Sequence, residues 1–160
     1  MKRQVFGTLL LSVMIALLGI GIIVPVMPVF AVSLGAGGLA LGMIIAAFSL
    51  TRAILQPVVG NLSDRLGRKG FLVSGLLIYS LVGIILPEAD SVVNLIAIRA
   101  FHGIGSAMIV PVAMAYVGDM APLGQEGRYM GMLNIAIFIG IGGGPLFGGL
   151  FTDLWGMAAA

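Results

Sequence analysis

Five stretches of this chain run for about twenty residues each with almost no charge, and that limits what it can fold into. They cover about residues 5–26, 39–62, 71–86, 92–117 and 130–150, the third being short. A helix needs ~20 apolar residues to cross a hydrocarbon core ~30 Å thick. The runs are continuously apolar rather than alternating, which selects transmembrane helices over barrel strands. The expected fold class is an all-α integral membrane protein with five transmembrane helices.

The rest of the composition agrees. Apolar residues make up 60% of the 160, against 8 basic and 6 acidic side chains, which excludes an ordinary soluble domain. The first apolar run is too long for the core of a secretory signal, and more spans follow it. With no cysteine there is no disulfide framework, thiolate metal site or thiol nucleophile. A dispersed net charge of +2 is too small for a nucleic-acid surface. The lipid bilayer is the expected partner; no nucleic acid, cofactor or metal is.

Charge placement sets the orientation. Lys2, Arg3, Arg65, Arg68, Lys69 and Arg128 fall on one side of the spans. The other side has an uncharged segment at 31–38, then Glu88 and Asp90, then Asp153. Six basic residues against none put the amino terminus and the 60s on the cytosolic side of a cell membrane. The chain then ends on the outer face, just past Trp155.

Residues 60–69, G-N-L-S-D-R-L-G-R-K, form a compact basic loop between the second and third spans. A positive-inside anchor would need the basic residues but neither the two glycines nor the aspartate. The pattern G-x-x-x-D-R-x-G-R-K resembles the signature loop of the major facilitator superfamily of transporters, with Gly60, Asp64, Arg65, Gly67, Arg68 and Lys69 in place. Gly67 permits a turn closed to other residues, and Asp64 can pair with a basic neighbour or face a helix amino terminus. The resemblance implies that this loop joins the two halves of the transporter on the cytosolic side in the outward-open state.

Three further patterns are similar to that family. Leu18, Gly19, Pro25, Val26 and Pro28 look like the first-helix motif of twelve-helix drug:proton antiporters, although proline also simply marks a helix end. Residues 99–107, R-A-F-H-G-I-G-S-A, resemble the fourth-helix R-x-x-Q-G-x-G motif, with His102 where glutamine is usual. Arg99, His102, Gly103 and Ser106 share one helical face, and Arg99 would lie ~12 Å deep in the membrane. Lipid exposure there would cost several kcal/mol, so Arg99 should face protein or a wet cavity. Arg99 is expected to tune the cavity or the proton step, with a structural interhelical hydrogen bond as the alternative. His102, assisted by Arg99, is a candidate coupling residue, with a packing role as its plainer reading. Gly140, Gly144, Pro145, Gly148 and Gly149 give G-x-x-x-G-P-x-x-G-G, similar to the fifth-helix signature of drug-exporting members. Glycines at every fourth position also allow close packing in any membrane helix pair.

Asp119, Glu126 and Arg128 lie on the same side as Asp64 and Arg68. The resemblance suggests a gate network in which Asp119 pairs with Arg68; solvated loop charge is the alternative. Arg52 shares a face with Ser49 and Gln56 and is expected to point inward, or to snorkel to the cytosolic surface. No carboxylate falls within any of the five runs, so coupling to protons is implied by the resemblance alone.

The resemblance implies the start of an amino-terminal six-helix half, built of inverted three-helix repeats with the second repeat incomplete. The closing G-M-A-A-A reads as the opening of a sixth helix, and a carboxyl-terminal half is expected in the full-length protein. The expected function is secondary transport, not enzymatic catalysis: proton-coupled efflux of small lipophilic, drug-like molecules by alternating access. An importer or uniporter of a sugar or other metabolite, and a non-transporting membrane subunit, are the alternatives. An intramembrane serine hydrolase built on Ser106 and His102 lacks a separate base helix and an oxyanion-hole pattern.

Overall fold

The computed structural model describes residues 2–155, and the regular structure among them is helical. Five helices follow one another: α1 Lys2–Ser33, α2 Gly38–Leu66, α3 Arg68–Ile85, α4 Val92–Met120 and α5 Glu126–Trp155. All five are long and apolar enough to cross a membrane. The residues expected to open a sixth helix lie outside the described residues.

Most of the helices outrun the apolar stretches that announce them. Hydropathy marks where the bilayer core lies, whereas hydrogen bonding carries a helix on into the polar interface. The expected loop at 60–69 is the clearest correction. α2 continues through Asp64 and Arg65 to Leu66, α3 opens at Arg68, and Gly67 alone stands outside a helix. Nor do the first-helix prolines mark an end, since α1 passes Pro25 and Pro28 and stops at Ser33. Each costs one backbone bond, a loss that membrane helices tolerate.

The helix ends have local causes. α1 closes in a Schellman motif: the Ala36 amide donates to the Ala31 carbonyl at 3.0 Å and the Gly35 amide to the Val32 carbonyl at 2.9 Å. That turn needs a left-handed residue, and Gly35 supplies it at φ 83°. Before α4, the Ser91 hydroxyl accepts from the Asn94 amide at 3.3 Å, capping the helix start.

The chain divides into two compact units. One holds residues up to Pro25 together with those from Ala113 onward, and so pairs most of α1 with α5 and the end of α4. The other, Val26–Val112, holds α2, α3 and the greater part of α4. Val13, Leu17, Leu133 and Ala136 are among the buried residues of the first. Ile44, Val82, Leu95 and Ile109 are among those of the second.

Candidate functional site

In the first unit, α1 and α5 run parallel and touch along small residues. Phe6 stacks on Tyr129 at 4.7 Å between ring centroids near one end. Further along, Gly140 lies against Met14, Leu17 and Leu18, Gly144 against Gly21, and Gly148 against Ile22. The three α5 glycines recur every fourth residue and are all buried, so they form one seam. A Cβ at Gly140 would come within 2.5 Å of the Met14 carbonyl oxygen, far inside normal contact.

Pro145 is exposed, and it acts on the seam through the backbone. It has no N–H, so the Ile141 carbonyl loses its usual intrahelical donor. That oxygen lies against Gly21, where a Cβ would stand 2.5 Å from it. Gly21 thus turns a Cα hydrogen toward an acceptor that the proline has freed, a weak bond that membrane helices use at close crossings. Pro25 likewise removes the donor for the carbonyl of Gly21 itself. Gly21 was not singled out in the sequence. Gly19 was, and it has open space around it, as does Gly149.

The second unit buries the polar stripe of α4. Arg99 is 7% exposed, and His102 and Ser106 are 1% each. Arg99 Nη1 lies 3.0 Å from His102 Nδ1, and its guanidinium sits 4.4 Å from the centroid of the Phe48 ring on α2. Edge-on aromatic contacts hold the imidazole, to Tyr79 of α3 at 4.5 Å and to Phe48 at 5.2 Å. Ser106 neighbours the Tyr79 hydroxyl without reaching hydrogen-bond geometry. Arg99 Nε and Tyr79 Oη are both buried without a hydrogen-bond partner among the described residues. The sequence pointed to Arg99 and His102 but not to Phe48 or Tyr79, because an aromatic residue in an apolar helix carries no signal of its neighbour.

Two glycines let α2 and α3 approach this stripe. A Cβ on Gly103 would fall 2.6 Å from the Phe48 carbonyl oxygen, and one on Gly105 would fall 2.7 Å from the Ile78 side chain. Arg52, expected to point inward or to snorkel, lies within electrostatic reach of Tyr79. It is half-buried, with Ser49 and Gln56 on its face both exposed. Its backbone nitrogen packs beside Gly103.

At the α2–α3 turn, Asp64 pairs with Arg68, four residues on. Arg68 Nη1 also donates to the Ser63 hydroxyl at 3.2 Å, and that hydroxyl donates to the Gly60 carbonyl at 2.9 Å. Ser63 is 1% exposed, a buried anchor that the sequence reading passed over. Asp64 stands at a carboxyl helix end and Arg68 at an amino end, each unfavourable for its own helix dipole. Gly67 has φ 99° and ψ 140°, a conformation closed to side-chain-bearing residues. Gly60, by contrast, sits in regular helix with nothing within 4 Å of a Cβ built on it. Arg65, Lys69, Asp119, Glu126 and Arg128 are exposed.

A sequence model of the Major Facilitator Superfamily matches residues 9–160. The chain belongs to this superfamily. An uncharacterised MFS-type transporter of Methanocaldococcus jannaschii is 37% identical over 98% of the chain. Multidrug resistance protein 2 of Bacillus subtilis is 36% identical over 94%, and quinolone resistance protein NorA of Staphylococcus aureus is 30% identical over 96%. The chain spans 40%, 38% and 39% of the lengths of these three relatives. Among solved structures, a bacterial homologue of the human lysosomal transporter Spinster aligns with a TM-score of 0.84 at 21% identity. That alignment covers 96% of this chain and 32% of the other, and shows a shared fold.

Proposed function

We propose that this chain forms part of a secondary transporter that exports small lipophilic, drug-like molecules by alternating access. The observation that carries the reading is the α1–α5 seam, in which Gly140, Gly144 and Gly148 abut α1 while Pro145 frees a carbonyl facing Gly21. Those residues are the ones that resemble the fifth-helix pattern of drug exporters. The resistance for which the Bacillus and Staphylococcus relatives are named supports the same direction of transport.

In this reading the Asp64–Arg68 turn serves a cytosolic gate, and Arg99 lines or tunes the transport cavity. The amino terminus and Gly67 face the cytosol, and the chain ends on the outer side. The remaining wall of the cavity comes from polypeptide matching the rest of the relatives' length. Protons are the coupling ion. All six carboxylates stand at helix ends or in connections, so the titrating carboxylate belongs to that further polypeptide.

Cells expressing the full-length protein, loaded with a fluorescent lipophilic cation, should retain less dye than control cells. A protonophore should abolish the difference. Greater dye accumulation would instead favour an importer, and equal accumulation would count against drug transport.

A further inference from the structure

We infer that His102 is a neutral positioning residue for Arg99, locked as the tautomer protonated on Nε2, and is not a proton carrier. Arg99 Nη1 lies 3.0 Å from His102 Nδ1. A guanidinium nitrogen can only donate, so Nδ1 must offer a lone pair, and the ring proton must sit on Nε2. A doubly protonated imidazole would turn an N–H toward a cation and lose the bond. The proton and Arg99 compete for one lone pair, and in this arrangement Arg99 holds it.

The surroundings favour the same outcome. Tyr79 faces the imidazole from α3 and Phe48 faces it from α2, both edge-on and neither offering negative charge. The charged and titratable groups around it are Arg99 on its own helix, Tyr79 on α3 and, within electrostatic reach of Tyr79, Arg52 on α2. No carboxylate stands there to compensate a second proton, because all six lie at helix ends or in connections. His102 is 1% exposed, packed between Tyr79 and Phe48. What His102 contributes is aim: its Nδ1 fixes one end of a guanidinium whose Cζ lies 4.4 Å from the Phe48 ring centroid. Two contacts, one from α4 and one from α2, restrict a planar group, so Arg99 presents its remaining donors in one direction.

The role in transport rests on the export reading above, but the tautomer does not. His102→Gln keeps an acceptor and cannot titrate, whereas His102→Leu removes the acceptor at similar bulk. In the full-length protein, H102Q should keep dye export with an unchanged pH profile. H102L should lose it by roughly tenfold, the scale of a buried hydrogen bond to a charged group. Nitrogen-15 histidine spectra, assigned by difference from H102Q, should show Nδ1 bare and Nε2 protonated throughout about pH 5 to 8, where a free imidazole titrates. A doubly protonated signal in that range, a pH profile altered in H102Q, or an H102L variant as active as the parent would overturn the inference. If the parent protein exports no dye, the export reading fails and the spectra alone decide the tautomer.

Discussion

Gly21 of α1 and Gly144 of α5 meet backbone to backbone. A carbon added at position 144 would lie inside the van der Waals envelope of the Gly21 carbonyl group. Gly144→Ala should therefore push the two helices apart, at a cost of ~1–3 kcal/mol for overpacking. Gly149→Ala, five residues on, meets open space and should leave stability unchanged. Thermal unfolding in detergent, run on both variants beside the parent, separates a specific seam from a general intolerance of change in α5.

The two glycines of the α2–α3 signature should behave in opposite ways. Gly67→Ala forces a side chain into φ 99°, which costs ~1–3 kcal/mol although no atom stands in its path. Gly60→Ala removes a flexible residue from regular helix and should stabilise by up to about 1 kcal/mol. The same unfolding measurement distinguishes the two. A destabilised Gly60 variant would mean that this position is constrained by something besides backbone conformation.

Phe48 holds Arg99 by cation–π attraction at 4.4 Å. Phe48→Leu keeps the bulk and removes the ring face, and should cost ~0.5–2 kcal/mol. Arg99→Lys keeps the charge but cannot lie flat on the ring while donating to His102 from a rigid plane. Lysine should not restore what arginine supplies. Combining the two changes tests this: if the ring acts mainly through the guanidinium, Phe48→Leu costs less in the Arg99→Lys background than in the parent.

The Asp64–Arg68 pair separates stability from transport. Asp64 is largely solvent-exposed, with a side chain at 59% relative exposure, so Asp64→Asn should change stability by no more than ~1 kcal/mol. Export should nevertheless fall by roughly tenfold if the pair belongs to a gate, the scale of a lost conformational coupling of ~1–3 kcal/mol. Unfolding and dye-efflux rates measured on the same preparation test both halves.

Orientation can be read directly because the chain has no cysteine of its own. Lys69→Cys and Gly37→Cys place single thiols at exposed positions at either end of α2. A membrane-impermeant thiol reagent added to intact cells should label position 37 and not position 69. The reverse pattern would invert the proposed topology.

Number, order and approximate limits of the helices were legible from hydropathy, and the polar stripe of Arg99, His102 and Ser106 from its spacing. Both are local properties, carried by residues within a few turns of one another. Partners were not legible. Gly19 and Gly21 look alike in an apolar run, yet Gly21 alone of the two meets α5. Tyr79 and Phe48 read as ordinary membrane aromatics until α4 brings His102 between them. The reason is physical. A helix in lipid is apolar on the side facing protein and on the side facing hydrocarbon, so no amphipathic stripe reveals the contact face. The chain's own residues settle that it crosses the membrane and which few polar groups it must hide. Folding settles which backbone each glycine admits, and that a single residue, Gly67, turns α2 into α3.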